Sequence, residues 1–235
     1  MVERLLHLTA SAAAKQKRLT ALLGGRDPSD AALREAVADA QLLGSLELAG
    51  FDISWEQVRA SRRGEPAPAP VARLRAAQQA VDPQAPFSVR ALLAWHAAVS
   101  GGTAGVRTIE RTRDGGPPPA PAAFVAQRLG ILEEWLGVES GRELKPAQAG
   151  ALVLARILEI LPFDEANGRV ARLAASHLML RAGGRAPILV KGDAPRLAQA
   201  VDAAFQLATE PLATLLDEAA ERSLDVMIQT LERDR

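Results

Sequence analysis

LPFDEANGRVAR, residues 161–172, follows a long apolar run and opens a new helical pattern. Ala166, Asn167 and Gly168 are small or turn-forming, so the backbone there can approach a ligand closely. The first N–H groups of the helix that follows have no intrahelical acceptor and point outwards. Arg169 and Arg172 are three apart, on one side of that helix near its positive end. Two guanidinium forks converging on a helix N-terminus suit a di- or triphosphate, and Asp164 and Glu165 add carboxylates where a magnesium ion sits beside phosphates. A helix capped by Asn after a Gly-containing turn, with solvated arginines, produces the same letters without a ligand, and spacing alone leaves both readings open.

Working outward, Pro146 fits a first helical turn, and in QAGALVLARILEI (148–160) the strongly polar positions are Gln148, Arg156 and Glu159. A helix apolar nearly all round belongs in the middle of its domain. This one feeds directly into the loop. Further helices are expected at 3–23, from Ser29 or Asp30 to Gly50, from Ser54 with Gln57 at capping-box spacing, at 71–81, 88–100 and 121–137, from Asn167 to Gly183-Gly184, at 194–208 and at 211–233. The pattern breaks at GGTAGVRTIERTRDGGPPPAP (101–121), where turn residues flank Val106, Thr108 and Ile109, the best strand signal in the chain. The expected fold is all-α, with a short β-hairpin flap at 103–114. GEPAPAP (64–70) reads as a semi-rigid connector between an N-terminal helical arm, 1–63, and a main domain, 71–235, which could also pack as one.

Composition narrows the function classes. The 28 basic and 28 acidic residues cancel, which argues against nucleic acid or a membrane surface as partner. The absence of cysteine removes disulfides, thiolate metal sites and a Cys nucleophile. No segment approaches the roughly 18 consecutive apolar residues of a membrane span, so a cytoplasmic location is expected.

With these residues in view, LPFDEANGRVAR resembles the motif of Fic (Fido-fold) proteins, H-P-F-x-[D/E]-G-N-G-R-x-x-R. It matches at Pro162, Phe163, Glu165, Asn167, Gly168, Arg169 and Arg172, and departs at Leu161 for His and Ala166 for Gly. The GVR at 105–107, the proline run at 117–119 and the helix-rich tail are similar to the family as well. The stretch 42–58 resembles the inhibitory helix of one Fic class, [S/T]-x-x-x-E-[G/N], with Glu47 at the glutamate but Leu43 and Leu48 at its other positions. The Doc-like branch carries Ala at the place of Ala166.

The resemblance implies transfer of AMP from ATP to a hydroxyl of a target protein, with relatives that move other phosphate-containing groups. It implies that Asn167, Gly168 and Arg169 hold nucleotide phosphates, that Glu165 binds Mg²⁺, and that Arg172 pairs with the γ-phosphate or, at rest, with the regulatory Glu47. Phe163 would anchor the loop. Arg107, Thr108 and Ile109 would line a flap that aligns a target segment by strand pairing. At position 161 the family's His is the general base, a role Leu161 cannot fill. Losing such a base costs roughly 10²–10⁴ in rate and leaves phosphate binding largely intact.

No other histidine is an evident replacement. His177 lies roughly 15 Å along the helix from Asn167, on a stripe with Val170, Leu173, Ala174 and Leu178. His96 lies on the apolar face of another helix without motif context, and His7 reads as a helix-surface residue. The expected protein is a degenerate Fic-fold pseudoenzyme that binds nucleotide. The alternatives are a transferase that dispenses with the His, and a non-catalytic regulatory or interaction scaffold.

Overall fold

The computed structural model describes residues 2–25, 27, 30–113, 116–138 and 143–233, with side chains from residue 12 onward. Among these residues there are ten α-helices, two short 3₁₀ turns and no strand. The helices are α1 (Val2–Leu23), α2 (Ala31–Glu47), α3 (Trp55–Arg62), α4 (Ala69–Gln79), α5 (Val89–Ser100), α6 (Val125–Gly137), α7 (Pro146–Ile160), α8 (Asn167–Arg181), α9 (Ala194–Phe205) and α10 (Glu210–Arg233). Their starts follow local chemistry. Asp30 accepts from the Ala32 N–H, Ser88 accepts from the Ala91 N–H, and Ser54 and Gln57 form the expected reciprocal capping box.

The hairpin α7–α8 is the centre of the molecule. Val153, Leu154 and Ile157 of α7 and Val170, Ala171 and Ala174 of α8 are buried, and the small residues let the two helices lie close together. Helices α6, α9 and α10 pack on α7, while α5 and α2 pack on α8. Helix α1 lies along α10, where Leu19, Leu23, Leu33, Leu224, Ile228 and Leu231 form a cluster of their own. Helix α2 sits so close to the chain after α8 that a Cβ at Gly44 would fall 1.9 Å from the Leu189 carbonyl oxygen.

The β-hairpin flap expected at 103–114 is not found among the described residues, where 101–113 and 116–121 run as irregular chain; Asp114 lies outside them. The β-formers Val106, Thr108 and Ile109 have no partner strand. Instead, the Arg107 N–H donates to the Pro162 carbonyl at 2.9 Å, which ties the segment to the α7–α8 loop rather than to itself.

Candidate functional site: the α7–α8 loop

The loop leaves α7 through Leu161, whose φ of 52° and ψ of 62° are left-handed, and enters α8 through Ala166, with φ of 65°. A left-handed residue at each end reverses the chain within a few residues. Between them Phe163 is buried, and its backbone closes a ring of hydrogen bonds with Asn167. The Phe163 N–H donates to Asn167 Oδ1 at 2.9 Å, and Asn167 Nδ2 donates to the Phe163 carbonyl at 2.8 Å. Asn167 therefore braces the loop with its side chain instead of capping α8, and no side chain caps this helix. What Asn167, Gly168 and Arg169 offer an anion is their N–H groups, the first of the helix.

Arg169 stands half-buried beside these groups, its guanidinium 5.3 Å from the Phe51 ring centroid. Burial lowers its pKa; Glu165 opposes that shift and Arg73, from α4, adds to it. Arg172 is more deeply placed. Burial, with Arg169 adding, pushes its pKa down to about 10. In place of the expected pair with Glu47, Arg172 donates to the Ser45 hydroxyl at 2.9 Å and the Ser45 carbonyl at 2.7 Å, so α2 restrains it through an uncharged residue. Glu47 lies two residues further on, half-buried at the end of α2. A Cβ at Gly168 would stand 3.2 Å from Arg172 Nη1, so the bare glycine leaves that guanidinium room at the start of α8.

Glu165 is exposed, as is Asp164, whose carbonyl and carboxylate accept from Arg111 at 2.7 and 3.2 Å. Among the described residues no three His, Asp or Glu groups gather into a metal cage. A single free carboxylate beside phosphates is nevertheless the donor set that magnesium takes with a nucleotide.

Of the three residues expected to form the target-docking flap, Thr108 and Ile109 are exposed and Arg107 is 2% exposed. The Arg107 guanidinium donates to the carbonyls of Leu161 at 2.7 Å, Ile109 at 2.8 Å and Ala120. It satisfies carbonyls at the C-terminal end of α7 that the helix itself leaves open. A charged residue in a loop gives no sign of this, because the acceptor at the end of α7 is supplied more than fifty residues later.

His96 is the residue whose position sequence spacing missed. It is 9% exposed and stacked on Phe163, ring centroids 3.8 Å apart and planes 4° apart. Both ring nitrogens are buried, and burial lowers its pKa, opposed by the Glu165 backbone beside it and by the Glu165 carboxylate. Buried beneath the loop's anchor, it underlies the site rather than facing a substrate. His177 is 1% exposed and packs 5.3 Å from the Trp95 ring, in the core as its stripe indicated. The His7 side chain lies outside the described residues.

Residues 86–179 match the model of the Fic/DOC family. A protein adenylyltransferase Fic from Drosophila grimshawi is 29% identical over 112 residues, which are 48% of this chain and 23% of that protein. The chain thus aligns with less than a quarter of such curated relatives. Among solved structures, a Fic domain-containing signalling protein from Bacteroides thetaiotaomicron superposes with a TM-score of 0.79 at 16% identity, covering 95% of this chain and 98% of that one. A fragment of Fic-1 from C. elegans gives 0.76 at 20% identity over 94% of this chain and 71% of that one. IbpAFic2, solved covalently tethered to Cdc42, gives 0.52 at 14% identity over 88% of this chain and 70% of that one.

Proposed function

Taking the chain as a Fic/DOC family protein over residues 86–179, we propose that it binds the polyphosphate of a nucleotide at the start of α8 and is impaired in AMP transfer to a target protein. The observation that carries this reading is the pairing of an uncapped helix N-terminus and a half-buried Arg169 with Leu161 at the base position. The N–H groups of Asn167 to Arg169 and the Arg169 guanidinium would hold the phosphates, with Arg172 joining once Ser45 releases it. Magnesium, held by Glu165 and those same phosphates, would neutralise charge on the transferring group. Exposed Thr108 and Ile109 would border the approach of a target protein. The relative tethered to Cdc42 supports a protein as the acceptor class.

Transfer to a hydroxyl requires its proton to leave, and Leu161 offers no acceptor for it. His96 does not substitute, since its ring is packed flat against Phe163. The expected outcome is that ATP with Mg²⁺ binds in a calorimetric titration while label from ATP is not transferred to protein above background. Leu161→His should restore label transfer by roughly 10²-fold or more. Transfer by the unaltered chain, lost in Arg169→Ala, would instead establish a mechanism without the histidine, and absence of binding would leave a structural scaffold.

A further inference from the structure

A cavity of about 510 Å³ opens between α2, α4, α8 and the chain at 184–189, with Ser45 and Arg172 in its lining. Its size falls within the roughly 300–1,000 Å³ of small-molecule sites. Val37, Leu74, Leu173 and Leu189 contribute to a wall that is mostly apolar, and such surface gains by excluding water. The charged residues of the lining are all of one sign. Among the described residues Arg34, Arg172 and Arg185 line it, and no Asp or Glu does.

The three arginines differ in what they can still offer. Arg172 is half-buried and committed to Ser45. Arg34 and Arg185 are both exposed, so these two mark the solvent end of the cavity while the half-buried Arg172 lies further in. Arg185 uses one nitrogen on the Gln16 side chain. An apolar chamber with guanidinium groups at its open end and no acid in its described lining matches a molecule with an apolar body and a single anionic head. A cation would meet three like charges. A neutral molecule would leave the complementarity unused.

We propose that this cavity is a binding site for a small amphiphilic carboxylate, its hydrocarbon body between α2 and α8 and its carboxylate against Arg34 and Arg185. The site shares Ser45 and Arg172 with the proposed nucleotide cradle, but the arginines that would meet the carboxylate, Arg34 and Arg185, are no part of that cradle. Octanoate and its neutral isostere octanamide are suitable probes, titrated into the full chain by calorimetry. Octanoate is expected to bind saturably with octanamide at least tenfold weaker. Ala38→Trp, which fills the chamber from α2, should abolish octanoate binding. The double variant Arg34→Gln with Arg185→Gln, which leaves the apolar wall intact, should weaken it at least tenfold. Equal affinity for the two probes, indifference to the arginine pair, or loss only in Ile131→Lys, which marks the separate groove between α6 and α7, would overturn the proposal. A failed ATP titration would remove the nucleotide reading and leave these results unaffected.

Discussion

Leu161 and Ala166 share a backbone conformation that neither side chain favours. A left-handed φ costs an L-residue roughly 1–2 kcal/mol, and glycine nothing comparable. Ala166→Gly should therefore raise stability by about 1 kcal/mol in a urea titration, and an unchanged or lowered midpoint would refute the strain. Histidine is among the residues that tolerate this region better. Leu161→His should for that reason fold at least as well as the parent, so that its transfer assay reads chemistry and not unfolding. The seven motif matches and the departure at Leu161 are legible in the sequence because they sit in one contiguous window. Ser45, Phe51 and His96 were not. Each reaches the loop from an element far away in the chain, and only packing decides that His96 lies against Phe163.

At the scale of elements, helix periodicity and caps located the helices because each signal is local. The flap failed for a complementary reason. Strand propensity at Val106 to Ile109 describes a preference that needs a partner, and the N–H of Arg107 finds Pro162 instead. The role of α2 likewise rests on close approach. Gly44→Ala would drive a methyl group into the Leu189 backbone, which cannot swing aside like a flexible side chain. A cost of about 1–3 kcal/mol is expected, seen as a Tm lower by several degrees. An unchanged Tm would mean that α2 does not hold this position in solution.

At the scale of the whole molecule, the imidazoles of His96 and His177 are buried among the described residues, and burial lowers the pKa of both. The unfolded chain, near the ordinary value of about 6.5, then binds more protons than the folded one between that value and the depressed folded pKa. Stability should be full above about pH 6.5 and fall as the pH drops below it, by up to about 1.4 kcal/mol per pH unit for each histidine. Urea midpoints at pH 7.5 and 5.5 read this directly, and His177→Leu should flatten the difference. The nucleotide reading depends on the same assembled core, because the N–H groups of α8 face outward only while the α7–α8 hairpin is held. Its most direct test is a calorimetric titration of ATP with Mg²⁺ into the parent chain and into Arg169→Ala. Saturable binding to the parent, weakened roughly tenfold to a hundredfold in the variant, is the predicted result. No binding to the parent, or equal binding to both, would contradict it.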